Sequence, residues 1–112
     1  MTAKVLICDD EEPVCRSLAR LLRSAAYDVV TTDGPGGLAQ IEREIFDAVV
    51  TDLRMPGADG FAILEAVRTR CPRTPVIVMS GSAQIPDAVR AMRLGARDFL
   101  VKPVGVDSLE EA

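Results

Sequence analysis

A chain of 112 residues is room for one domain of ordinary size and too little for two independent cores, so a single site carries its function. With 48% hydrophobic and 27% charged residues the composition is globular, and a formal net charge of -4 with scattered arginines argues against direct nucleic-acid binding. No apolar run approaches the ~18 residues that span a bilayer and no signal peptide opens the chain. Cys8, Cys15 and Cys71 lack the spacing of a disulfide framework or a zinc site, which fits a cytoplasmic setting, and the absence of histidine excludes Ser-His-Asp and Cys-His catalysis.

Five short apolar or β-branched runs recur along the chain, at 4–8, 29–31, 48–51, 76–79 and 99–101, with helical periodicity between them. After the first run, Val14, Leu18, Leu21, Leu22 and Ala25 line one face of a helix while Arg16, Arg20 and Arg23 line another. After the second, Asp33-Gly34-Pro35-Gly36-Gly37 leads into Leu38, Ile41 and Ile45, a short helix weakened by its glycines. Phe61, Leu64, Val67 and Cys71 mark a third helix that ends at Pro72, and a fourth runs from about Pro86 to Leu94, where Gly95 stops it. The last segment, from Val106, begins like a helix and covers barely two turns, so the fifth helix is expected to be cut short, with any output domain beyond this chain.

Strands buried on both faces and separated by helices imply a parallel sheet of right-handed βαβ units. The expected fold is α/β: a (βα)5 doubly wound, flavodoxin-like three-layer sandwich with five parallel strands in the order 2-1-3-4-5, forming one domain over residues 1–112. In such sheets functional groups collect at the carboxyl ends of the strands. There the sequence has Asp9-Asp10-Glu11-Glu12, Asp52, Ser80-Gly81 and Lys102-Pro103.

In that strand order the first and third strands are neighbours, and Asp9, Asp10 and Asp52 share one crevice. Three carboxylates so close stay ionised together only around a cation, and a hard divalent ion such as Mg2+ suits them. With no histidine present, a carboxylate is the strongest nucleophile candidate, and phosphate chemistry through Asp52 follows, with metal and lysine offsetting the incoming charge. Taken singly, each feature has a plainer reading: 9–12 as a helix cap with acidic first-turn residues, 52–57 as a turn, Ser80 and Lys102 as loop residues. Their coincidence at the strand ends favours a site.

The motifs VLICDDEEPV, VVTDLRMPGADGF, VIVMSGSA and AMRLGARDFLVKP, which together cover essentially the whole chain, resemble the receiver domain of two-component response regulators. The resemblance implies a phosphorylation-activated switch in which Asp52 accepts a phosphoryl group from a histidine kinase or a phosphotransfer protein. It implies that Asp10 and Asp52 bind Mg2+ directly, that Asp9 acts largely through water, and that the backbone carbonyl of Arg54 completes the protein ligands. Lys102 would pair with the phosphoryl oxygens and Ser80 would donate its hydroxyl to them. Phe99 would turn inward behind Ser80 as a switch, or serve in core packing. Arg54 and Ser82 occupy positions that in the family influence phosphoryl lifetime. The Lys102-Pro103 peptide would be cis.

The responding surface would be the fourth helix, fifth strand and fifth helix, through which a homodimer or an output partner, most naturally in transcription, is controlled. The kinase would dock over the start of the first helix and the loop after Lys102. The domain would catalyse only its own phosphoryl transfer and dephosphorylation. Alternatives are a pseudo-receiver that serves as an interaction module without phosphorylation, and a Mg2+-dependent aspartyl phosphohydrolase. The second lacks its usual general acid, since Arg54 stands two residues after Asp52.

Overall fold

The apolar runs and the amphipathic stretches resolve, in a computed structural model that describes residues 2–82 and 84–111, into ten alternating elements. They are β1 (Lys4–Cys8), α1 (Glu12–Ser24), β2 (Asp28–Thr32), α2 (Gly34–Arg43), β3 (Ala48–Asp52), α3 (Gly60–Arg70), β4 (Val76–Ser80), α4 (Ile85–Arg93), β5 (Asp98–Val101) and α5 (Val106–Glu111). The strands form one parallel sheet in the order β2-β1-β3-β4-β5. Side chains alternate across each strand, so both faces of the sheet need cover. On one face Val5, Ile7, Val50 and Ile77 pack with Leu18 and Leu22 of α1 and Leu109 of α5. On the other, Leu6, Val49 and Val78 pack with Ile41 of α2, Ile63 and Leu64 of α3 and Ala91 of α4.

The helix ends follow local chemistry. Asp33 and Asp59 cap α2 and α3, their Oδ1 atoms accepting the backbone N–H of Gly36 at 2.8 Å and of Ala62 at 2.9 Å. At α1, however, the acidic run provides no side-chain cap: Glu11 is the cap residue and its side chain makes no cap bond. Asp9 instead accepts the Glu11 N–H at 3.0 Å and is held at the end of β1. The glycine-rich α2 is a full ten-residue helix, because Gly34 and Gly37 are buried against neighbouring elements and tertiary packing outweighs their low propensity. Gly95 follows α4 with φ +100°, a left-handed conformation that ends the helix where the sequence places its stop.

Register fixes what stands at the carboxyl edge. Cys8 pairs with Thr51, so Asp9 and Asp52 follow on adjacent strands. Asp52 pairs with Met79, and Ser80 with Val101, which sets Lys102 one residue beyond the sheet. The Lys102-Pro103 peptide is cis.

Candidate functional site

Asp9, Asp10 and Asp52 converge: each offers one carboxylate oxygen, and these atoms all lie within 4.8 Å of one another. Asp9 and Asp52 are buried, while Asp10 is exposed at the mouth of the crevice. The backbone around Asp52 is held tightly. Thr51 Oγ1 donates to the Asp52 carbonyl at 2.9 Å, Leu53 N–H to the Met79 carbonyl at 2.9 Å, and Gly60 N–H to the Leu53 carbonyl at 2.8 Å.

Lys102 closes the crevice from β5. Its Nζ stands 2.8 Å from Asp9 Oδ2, 3.2 Å from Asp52 Oδ1 and 3.5 Å from Glu11 Oε1. Asp9 Oδ2 is buried, and the Lys102 ammonium meets it as an ion pair off the hydrogen-bond direction. A buried carboxylate oxygen in this condition is a natural ligand for a cation. Three convergent carboxylates of this kind fit a hard divalent ion such as Mg2+.

Electrostatics at the site follow from burial and crowding. Burial, and then the neighbouring Asp9 charge, raise the Asp52 pKa above the ordinary carboxylate value, with Lys102 opposing them incompletely. Burial alone would lower the Lys102 ammonium, but Asp9 and Asp52 outweigh it and hold the lysine above its usual value. Lys102 is therefore a fixed positive charge between two buried carboxylates. Such an array is suited to accept further negative charge on Asp52 when a second cation joins it.

The remaining sequence-selected residues divide. Ser80 is buried at the end of β4, but its hydroxyl donates to the Ser82 carbonyl at 2.8 Å and accepts the Ser82 N–H at 3.3 Å, so it is committed to its own loop rather than to Asp52. Phe99 is half-buried and packs against the core beneath α2, α3 and α4. Arg54 turns its side chain away from the carboxylates and pairs through Nη2 with Asp87 Oδ2 of α4 at 2.8 Å. Sequence reasoning missed that pair, and also Glu11 as a partner of Lys102. Neither carries a local signal: Arg54 and Asp87 are 33 positions apart and Glu11 and Lys102 are 91 apart.

Residues 5–112 match the response regulator receiver domain family. The chain belongs to that family. The receiver is 36% identical over 108 residues to the transcriptional regulatory protein ZraR of Salmonella typhimurium, an alignment that takes in 96% of this chain and 24% of that protein. It thus spans about a quarter of that relative's length. Its fold matches a Burkholderia pseudomallei response regulator crystallised with a phosphorylated aspartic acid, a calcium ion and citrate (TM-score 0.92, 29% identity, 98% of this chain and 65% of that one). It also matches the beryllofluoride-activated NtrC4 receiver dimer, solved in solution (TM-score 0.88, 31% identity, 96% of this chain and 90% of that one).

Proposed function

We propose that residues 1–112 work as a single receiver unit, switched by phosphorylation of Asp52 and controlling an output partner, in keeping with the transcriptional role that the name of ZraR states for that relative. The observation that carries this reading is the convergence of Asp9, Asp10 and Asp52 with Lys102 against two of the three carboxylates. A carboxylate oxygen of Asp52 attacks phosphorus, the new O–P bond forms as the P–N bond of a donor phosphohistidine breaks, and the imidazole leaves with the electron pair. The donor is a histidine kinase or a phosphotransfer protein, which supplies the histidine this chain lacks.

Asp10 and Asp52 would hold Mg2+ with their side chains, Asp9 through water, and Arg54 with its backbone carbonyl. Bound there, the ion supplies charge neutralisation for the incoming phosphoryl oxygens. Lys102 pairs with those oxygens once they displace its contact with Asp52. Ser80 donates to them after releasing the Ser82 carbonyl, and Phe99 follows inward.

Docking of the donor is supported by a groove of about 430 Å³ beside the crevice, lined by Val14, Leu18 and Leu21 of α1 and by Met79, Pro103 and Val104. A second face, with Ile85, Val89 and Met92 of α4 beside Val101 of β5, leaves large apolar side chains exposed and suits a homodimer or an output partner. No helix among the described residues is long and apolar enough to cross a membrane, and we place the domain in the cytoplasm with its kinase's catalytic part.

The test is intact mass after incubation with acetyl phosphate, with and without Mg2+, for the wild-type receiver and Asp52→Asn. One phosphoryl group that depends on both Mg2+ and Asp52 is expected. Failure to incorporate it in a folded chain would leave an interaction module, and continuous phosphate release at enzymatic turnover would make the domain a phosphohydrolase. Calorimetric titration with Mg2+ reads the metal site independently, with Asp10→Asn expected to weaken binding at least about tenfold.

A further inference from the structure

We propose that the Arg54–Asp87 ion pair is a latch that holds α4 in its unphosphorylated position and so restrains the receiver's own phosphorylation. This inference rests on the proposed function and adds a regulatory contact to it. It begins with how little of α4 is anchored by the core. Of the nine residues of α4 only Ala91 is buried, whereas Ile85, Val89 and Met92 stand exposed.

Besides the buried Ala91, two arginine contacts fasten the helix to the rest of the molecule. Arg54 Nη2, from the loop after β3, reaches Asp87 Oδ2 in the first turn of α4 at 2.8 Å. Arg90 of α4 stacks its guanidinium over the Phe61 ring of α3, 4.0 Å from the ring centroid. Both contacts bind α4 to the segment that follows Asp52. A helix seated on one small buried side chain and otherwise fastened by polar clips can move while opening little cavity, which is the property of a two-position element.

The second link is the loop that precedes α4. Ser80 can donate to a group on Asp52 only by giving up its bond to the Ser82 carbonyl. That step alters how the end of β4 meets Gln84, the cap residue of α4, and shifts the first turn that carries Asp87. The Arg54–Asp87 pair therefore favours the conformation in which Ser80 stays with its loop. A ligand or covalent group can move such an equilibrium only by its differential affinity, so a contact made in one state alone lowers the population competent to react. The pair is partly exposed, with 68% of the Arg54 side chain accessible, so the restraint is modest and sensitive to salt.

The experiment measures the initial rate of phosphorylation by acetyl phosphate at saturating Mg2+ for wild type, Asp87→Asn and Asp87→Glu, each at about 20 mM and 500 mM ionic strength. Asp87 lies outside the phosphorylation machinery. At low salt Asp87→Asn is expected to react about two- to fivefold faster, the ratio a partly exposed ion pair can carry. Asp87→Glu should stay near wild type, and high salt should raise the wild-type rate toward that of Asp87→Asn. Backbone NMR of the unphosphorylated proteins should show the α4 and Ser80–Ser82 resonances of Asp87→Asn displaced along the line joining free and phosphorylated wild type. An unchanged rate with unmoved resonances would overturn the latch and leave the pair as a local tether that only lowers thermal stability when removed. The NMR displacement is read without phosphodonor, so a failure of Asp52 to accept phosphate would be recognised separately.

Discussion

Asp52 carries a destabilising charge, and this has a measurable sign. Folding raises its pKa, so the folded receiver keeps that proton to higher pH than the unfolded chain does. The group therefore adds stability as pH falls through the folded value and detracts from it near neutrality. Asp52→Asn removes the charge and keeps the shape, and should raise the thermal midpoint at pH 7. The gain should shrink toward zero below pH 4, as scanning calorimetry across pH would show; an equal gain at every pH would contradict the electrostatic cause. Lys102 runs the other way: its raised pKa gives stability that is complete below the unfolded lysine value and is lost as pH rises through the folded one. Among the thiols, burial pushes Cys8 up to about 12 and Cys15 up to about 11, the latter with Asp9 as the next cause. Both should stay protonated and inert, so a native thiol titration at pH 8 should detect only the half-buried Cys71, and a denatured one all three. The carboxylates and Lys102 were legible because chemistry-bearing residues at strand ends stand out against apolar runs. The orientation of Ser80 was not, since which acceptor a hydroxyl chooses depends on a loop with no periodicity to read.

At the scale of elements, the inner strands β1, β3 and β4 were readable almost to their last residue because they are buried on both faces and read as nearly unbroken apolar runs, whereas the edge strands β2 and β5 are partly exposed and were legible only at their apolar centres. No residue selects the strand order: doubly wound sheets take more than one, the order 2-1-3-4-5 entered as a premise, and the sheet bears it out. What local propensity misjudged was α2, whose strength comes from packing; at the start of α1 the plainer cap reading of 9–12 gives way, as Asp9 is drawn to Lys102 and the Glu11 N–H. Arg23 of α1 shows the same limit: it donates to the Val29 carbonyl of edge strand β2 at 3.0 Å, a contact that blunts the open edge and that no pattern announces. The junction of β3 and α3 depends on close approach. A Cβ on Gly60 would stand 2.7 Å from the Asp52 carbonyl oxygen and 3.0 Å from Leu53 Cα, both backbone atoms that cannot swing aside. Gly60→Ala should therefore lower unfolding stability in urea by about 1–3 kcal/mol. Gly81→Ala, which meets nothing within 4 Å, should change it little. Equal effects at the two positions would refute the packing argument.

Across the whole molecule, stability is distributed unevenly, and function follows the distribution. β1, β3 and β4 are the inner strands of the sheet, with Leu6, Ile7, Val49, Val78 and Met79 essentially inaccessible. The acidic crevice is rooted at the ends of these strands, so the groups we propose to react are held by the most deeply buried part of the fold, as positioning of the proposed nucleophile requires. Beyond β4 the anchoring thins: α4 buries only Ala91, the four residues of β5 are at most half-buried, and α4 is clipped by charge to α3 and its preceding loop. A rigid site joined to a weakly anchored helix is the arrangement a switch needs, because a local charge change can then move one element without unfolding the rest. Hydrogen exchange read by mass spectrometry should resolve this gradient in the unphosphorylated receiver. Amides of β1, β3 and β4 should exchange only through global unfolding, while those of α4 should be at least about 100-fold less protected and open through a local step. Asp87→Asn should lower α4 protection further and leave the inner strands unchanged in rank. Protection of α4 equal to that of β3 would mean that the helix is as firmly seated as the core, and the switch would then have to lie elsewhere on the molecule.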